Sequence, residues 1–378
     1  MIVCDPISDG MEHVPINFNF LNSLLLLNPD EEIDVFFEKS HWECLKGQLD
    51  KHKLSQIKYN EILSWKRRTN KIDWFRQLSM LLNIKKTTDI NEKLFFFGVN
   101  RPIYLWLSLF FNGKNTTVVF HSILADIDGW QPRNPFYSVL TLKTIMKVFN
   151  RKAPKLIVLE SYIKENLIKI IPSLRDKVFV ISHPLPIDNA LYKNKFTEID
   201  VFNIGFPGVF SNDKGAHEFY QLASLFQLES VRFHVIGRNP ISEERNKFTD
   251  VFSSGPYDKP LARNKFIDEL CKCQFLFLCQ NTGHYQLTAS GVILDAIYFE
   301  VPIIAKKTPN LKVLTGNRWD IGYFYETAEQ LNVIIEKLDS KSDHLVDEYN
   351  GFIAEIRKLK ELRHLEYQVQ IREYLAKL

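Results

Sequence analysis

The sequence predicts an α/β protein made of two doubly wound domains, each a parallel sheet covered by helices. Three observations predict it. Strand-like runs alternate with helix-like stretches of ten or more residues along most of the chain, the pattern that parallel sheets produce. Several of those runs, such as residues 93–99 (KLFFFGV), are continuously apolar, as strands buried on both faces are. The length of 378 residues exceeds what one hydrophobic core holds and suits two domains of ordinary size.

Composition removes several function classes. Hydrophobic residues at 45% and charged residues at 25% describe a globular chain. The net charge of +3 is too small to make nucleic acid the main partner. Five cysteines, without CxxC or Cys/His clusters of metal spacing, argue against both a disulfide framework and a metal site; Cys271 and Cys273 are expected to be reduced packing residues. The longest strongly apolar run, 103–111, has nine residues, against about 20 needed to span a bilayer. The first five residues read as a strand instead of a basic and then apolar leader, so the expectation is a cytoplasmic protein.

In chain order, the first half carries strand-like runs at 1–5, 32–37, 55–59, 93–99, 116–122, 155–160 and 177–182. The run 182–188 (SHPLPID) contains two prolines, which make a stiff, extended connection. The domain boundary is therefore expected there, with a first domain over 1–185 and a second over 186–359. The second half repeats the scheme, with strands near 200–206, 231–236, 274–279 and 301–305 and helices at 214–226, 260–272 and 287–299. A charged, amphipathic helical region fills 345–378, and its last part, 360–378, is expected to pack back on the first domain.

The chemistry centres on residues 284–305 (HYQLTASGVILDAIYFEVPIIA). A small-residue turn, Thr288, Ala289, Ser290 and Gly291, opens a short apolar helix that ends before a buried strand. The free N–H groups and positive dipole end of such a helix favour a phosphate, and Gly291 lets a ligand approach the backbone closely. Asp295 is the single charge in that helix, placed where a carboxylate accepts hydrogen bonds from a ribose diol. Together these residues point to a nucleotide diphosphate site.

Three further stretches bear on it. In 204–215 (IGFPGVFSNDKG) a strand yields to a glycine loop, and Lys214 sits at the next helix start, where a lysine reaches a diphosphate as a point charge. A solvated lysine beside a loop is the alternative reading. Residues 233–238 (FHVIGR) are a strand closing on glycine, and 254–257 (SGPY) is a turn before a helix.

In order and spacing these stretches resemble the donor-binding domain of GT-B glycosyltransferases, particularly the large retaining group of bacterial polysaccharide and lipid glycosyltransferases, with a family 4-like donor domain. The likeness rests on Gly208 through Lys214-Gly215, on Leu294-Asp295-Ala296, and on Glu300-Val301-Pro302-Ile303-Ile304, and it covers roughly residues 200–340. It implies two Rossmann-like domains facing across a cleft and a nucleotide sugar as donor. It further implies that Lys214 contacts the donor diphosphate, that Ser290 and Gly291 hold it by backbone amides, and that Asp295 binds ribose. Gly255, Pro256 and Tyr257 fall where such proteins hold the base, and Gly208, Tyr285, Thr288 and Val292 complete the donor-side set. Two positions depart from the pattern. Val209 stands where the family commonly has arginine, and Leu287 where it commonly has the first of two glutamates.

First-domain chemistry is expected at the carboxyl ends of strands. The loop 5–13 (DPISDGMEH) gathers Asp9, Gly10 and His13; His121 ends the fifth strand, with Asp126 and Asp128 after it; His183 begins the linker. Taken alone, each reads more readily as an ordinary turn or a hydrogen-bonded structural residue. His121 is the first catalytic candidate, and Asp9 is the alternative base, because a carboxylate can take the acceptor hydroxyl proton. Gly10, His13 and His183 are the acceptor-side candidates. Residues 46–86 hold eleven basic residues against Asp50, Glu61 and Asp73, with Trp65 and Trp74 interleaved. This reads either as a solvated face or as a surface for anionic lipid.

The expected function is transfer of a sugar from a nucleotide diphosphate donor to a glycan or lipid-linked acceptor, with no metal or other cofactor required. The alternatives are a sugar-nucleotide epimerase of the same architecture and a non-catalytic nucleotide-sugar binding protein.

Overall fold

A computed structural model describes the whole chain except residues 66–70, 88–90, 122, 130–140, 187–200, 227–229, 239–248, 253–260, 280–283, 341–343 and 378. The chain divides into two compact units. The first comprises residues 1–187, 286–289 and 364–378, the second residues 188–285 and 290–363.

The first unit is built on a sheet of seven parallel strands: β1 (Ile2–Asp5), β2 (Ile33–Phe37), β3 (Ile57–Glu61), β4 (Leu94–Phe96), β5 (Thr116–Phe120), β6 (Lys155–Val158) and β7 (Val178–Val180). Their order is β3-β2-β1-β4-β5-β6-β7. All seven fall where strands were expected, although β3 starts two residues late because Lys51–Ser55 forms a short helix capped by the Asp50 carboxylate. The apolar β4, and β1, which is apolar up to its last residue Asp5, are fully buried. The helix Val14–Leu27 turns its Phe20, Leu21 and Leu24 into the core beside Phe37 and Phe97.

The second unit has six parallel strands: β8 (Phe202–Pro207), β9 (Val231–Ile236), β10 (Thr249–Phe252), β11 (Phe275–Leu278), β12 (Ile303–Lys306) and β13 (Gly322–Tyr325), in the order β10-β9-β8-β11-β12-β13. Both sheets therefore reverse their winding beside their first strand, between β1 and β4 and between β8 and β11. In doubly wound sheets ligands bind outside the carboxyl ends of the strands at that reversal.

Two strands, β10 and β13, were missed by the sequence pattern. Both are sheet edges, where pairing on one side removes the need for a continuous apolar run. At β13 pairing depends on a glycine: Gly322 has φ of 152°, and a Cβ there would run into the Ile303 backbone. The helix His344–Ala376 contributes to both units. Leu345, Tyr349 and Ile353 enter the second core, and Tyr367, Ile371 and Tyr374 enter the first. Tyr374 meets Thr117 at 2.7 Å, hydroxyl to hydroxyl, and the Gln370 amide oxygen accepts from the Ser182 N–H at 2.6 Å.

Candidate functional site

In the second unit, β8 ends at Gly208, whose φ of 93° a side chain would strain. Its amide donates to the Ile236 carbonyl. A Cβ on Gly208 would stand 3.7 Å from the Lys214 ammonium and 3.5 Å from a Val292 methyl. The two loops following β8 and β11 therefore converge on one point, and the residue at that point has no side chain. Gly237 closes the back: a Cβ there would lie 2.6 Å from the Gly208 carbonyl oxygen. Gly215, at φ of 87°, lets the loop pass against Cys279.

Lys214 has no carboxylate partner among the described residues, and burial lowers its pKa. An ammonium removed from water and left unpaired costs free energy that a bound anion would return. The helix Gly291–Tyr298 starts beside it. Ser290 occupies the N-cap without a side-chain cap, and the space around Gly291 is open. The first-turn amides and the dipole add to the same positive field.

Asp295, the single charge in its own helix, has a partner on another: Arg263 of the helix Arg263–Leu270 donates to both its oxygens, at 2.6 and 3.0 Å. The guanidinium lies over the ring of Phe299 at 5.9 Å. Nothing in the sequence spacing signalled Arg263, although a buried carboxylate in an apolar helix requires some partner. Tyr285 is buried and its carbonyl accepts from Asn310. Thr288 belongs to the first unit, where its carbonyl accepts from the Tyr162 hydroxyl at 2.8 Å. Gly255, Pro256 and Tyr257 lie outside the described residues.

In the first unit the loop after β1 is held from beneath. The buried Asp5 carboxylate accepts from the Ile7 and Ser8 amides and from Asn17, Asn17 contacts His41, and His41 Nδ1 is 2.9 Å from the Gly10 carbonyl oxygen. Gly10 in turn donates its N–H to Ser40 Oγ at 3.0 Å. This buttress presents His13, in the left-handed region at φ of 54°, so that its ring stacks on His121 with centroids 4.8 Å apart. His183 lies close enough to act electrostatically on His121, and its amide donates to the Leu159 carbonyl and Glu160 carboxylate. His13, His121 and His183 are thus gathered, with Gly10 tied in through His41. Asp9 is exposed.

Burial, followed by the neighbouring His13 and His183, holds the His121 pKa well below 6.5, outweighing a hydrogen bond to the Phe97 backbone that raises it; His41 lowers it further. Its Nε2 is sealed from solvent with no partner among the described residues. A neutral imidazole of low basicity suits a hydrogen bond to a sugar hydroxyl better than removal of its proton. Because the folded pKa lies below the unfolded one, stability is full above pH 6.5 and falls with the pH below it, by at most about 1.4 kcal/mol per unit. His121→Gln is expected to flatten that acid-side loss. Identical melting-temperature slopes for both proteins between pH 7.5 and 5.5 would show that His121 is not held neutral.

Trp65 of the basic stretch requires a correction. Trp65 is buried at 4% exposure, and its carbonyl accepts from Asn100. Trp74 is half-buried, its carbonyl taken by the Trp106 indole. The Trp65 ring is therefore not free to reach a headgroup layer. Lys66, Arg67 and Arg68 lie outside the described residues.

No protein-family model matches the chain, and no curated protein matches it in sequence. Solved structures do match in fold. A glycosyltransferase from Rickettsia africae aligns over 99% of this chain and 96% of its own, at 13% identity and a TM-score of 0.64. HepE from Anabaena, crystallised with UDP and glucose, aligns over 100% and 99% at 12% identity and 0.65. Sucrose-phosphate synthase from Thermosynechococcus elongatus aligns over 100% and 99% at 12% identity and 0.62. The likeness is one of fold, and the fold is GT-B. Among the described residues no helix is long and apolar enough to cross a membrane, and no cluster of His, Cys, Asp and Glu could hold a metal.

Proposed function

We propose that the chain is a glycosyltransferase that moves a sugar from a nucleotide diphosphate donor to a glycan or lipid-linked acceptor in polysaccharide or glycoconjugate biosynthesis. The observation that carries the reading is the half-buried Lys214 ammonium, unpaired among the described residues, facing Gly208 and the start of the helix Gly291–Tyr298. A diphosphate there receives a charge-assisted hydrogen bond and the helix-start amides in a partly dehydrated place. The same groups stabilise the leaving diphosphate as the glycosidic bond breaks, so the reaction as read here requires no metal. That HepE was crystallised with UDP-glucose supports a nucleotide sugar as the donor.

The acceptor side is assigned to the first unit, with His121 as a hydrogen-bond partner for a sugar hydroxyl and Asp9 as the base if configuration inverts. A lipid-linked acceptor would bring the protein, as a cytoplasmic enzyme, to a membrane face. The helix Lys71–Lys86 supports this, since Ile72 and Phe75 are 65% and 68% exposed beside Arg76, Lys85 and Lys86. Exposed apolar side chains flanked by lysines suit an anionic interface. Ile72→Ser with Phe75→Ser is expected to release the protein from anionic vesicles that retain the wild type at low salt. Wild-type protein that stays in the supernatant sinks the membrane reading but not the transferase one.

Val209, exposed where a phosphate-binding arginine is common in the resembling family, favours a second reading, a protein that binds nucleotide sugar without turnover. A panel of nucleotide sugars, each offered with and without acceptor, tests both. Acceptor-dependent release of nucleotide diphosphate is expected. Binding heat without release would replace transfer by the binding reading, and acceptor-independent change of the sugar would mark an epimerase.

A further inference from the structure

The amino ends of the first unit's strands hold a cavity that plays no part in the donor or acceptor sites. It encloses about 920 Å³, inside the range of small-molecule pockets. Leu94 and Lys155, which begin β4 and β6, line it, so it lies at the sheet end opposite the one where doubly wound folds bind their ligands.

Its lining is chemically lopsided, with five lysines facing a single carboxylate, that of Asp176. Two of the lysines are occupied in structure. Lys85 donates to the Phe110 carbonyl at 2.6 Å, and Lys177 donates to the carbonyls of Asn150 and Ala153. The other three, Lys114, Lys152 and Lys155, make no side-chain hydrogen bond or ion pair among the described residues. Burial, and then repulsion from Lys93, lowers the pKa of Lys155. Apart from Asn112 and Asn115 the remaining walls are apolar, and Phe110 is 43% exposed.

A solvated charged face would spread such lysines over a convex surface and interleave carboxylates. Here like charges are collected around a concavity, and an anion that enters it meets several of them at once, Lys155 among them already partly buried. Lysine meets phosphate as a point charge and tolerates varied geometry, while the phenylalanine wall gains from burying an apolar body. We propose that this cavity binds a small organic phosphate, a phosphate group carried on an apolar body, whether a soluble phosphomonoester or the headgroup end of an anionic lipid. The site is separate from the donor reading and does not depend on it.

Phenyl phosphate is the probe, titrated calorimetrically into full-length Lys214→Ala protein so that phosphate binding in the donor region is weakened. Saturable one-to-one binding is expected, tighter than that of inorganic phosphate. Lys114→Gln, Lys152→Gln and Lys155→Gln combined should weaken it by about tenfold or more. If that triple variant melts early, Lys152→Gln alone must still weaken binding about threefold, and Phe110→Ser must erase the preference for phenyl over inorganic phosphate. Vesicles containing phosphatidate then separate the sources: displacement of phenyl phosphate identifies a lipid headgroup, and its retention identifies a soluble phosphate. No saturable heat with phenyl phosphate, or equal affinity in the lysine variants, overturns the proposal.

Discussion

Lys214→Ala is expected to weaken binding of a nucleoside diphosphate by roughly 10- to 100-fold while leaving the affinity for the bare nucleoside almost unchanged. The range follows from a charge-assisted contact worth about 1.5–3 kcal/mol. Burial sets this lysine apart from a surface one and lowers its pKa, and its ammonium has no carboxylate partner among the described residues. The sign of the stability effect follows. A lysine whose folded pKa lies below its unfolded value opposes folding while it is charged, and the opposition fades as the pH rises through the folded pKa. Removing Lys214 should therefore leave the melting temperature at neutral pH unchanged or raise it, as at sites that give up stability for function. Diphosphate affinity of the wild type should also begin to fall at a pH below the ordinary lysine range, and the variant should lack that step. Equal losses for nucleoside and diphosphate would remove Lys214 from the phosphates. A large drop in melting temperature would make it a structural residue.

The fold was readable because its central strands are buried on both faces and therefore written as unbroken apolar runs, as in 93–99 and 274–279. Legibility fails at the edges. Thr249–Phe252 includes an aspartate within its four residues, and Gly322–Tyr325 owes its pairing to a glycine whose role appears only when Ile303 is placed beside it. The site divides in the same way. That Gly208, Lys214 and the helix start at Gly291 lie together was legible because a tight turn and a helix start each require particular residues at close spacing. The His13–His121 stack, the Asp5–Asn17–His41 buttress and Arg263 could not, since each joins residues brought together only by the crossover of strands. Trp65 misled for a related reason: its basic neighbours suggested a surface, whereas its own ring fills the core.

The Arg263–Asp295 pair yields the second large effect, and here the fold and ligand roles make opposed demands. The side chain of Asp295 is 11% exposed and that of Arg263 25%, and the guanidinium grips both carboxylate oxygens. Removing one partner of such a pair strands the other charge. The penalty for a fully buried pair is about 3–5 kcal/mol, and partial exposure of the arginine reduces it here to roughly 2–3 kcal/mol. Asp295→Asn and Arg263→Gln should each lower stability by about that amount, and the double variant should recover part of the loss, since it leaves no unmatched charge. If Asp295 also binds ribose, it must do so through lone pairs that Arg263 leaves available, with the arginine fixing the carboxylate in place. Asp295→Asn should then narrow the difference in affinity between a ribonucleotide and its 2′-deoxy counterpart, and Arg263→Gln should narrow it less. Denaturant melts read the first effect and paired titrations the second. Stability losses with an unchanged ribose preference would leave the pair as a brace between two helices and move ribose recognition to other residues, whereas losses that simply add in the double variant would show that the two side chains are not coupled at all.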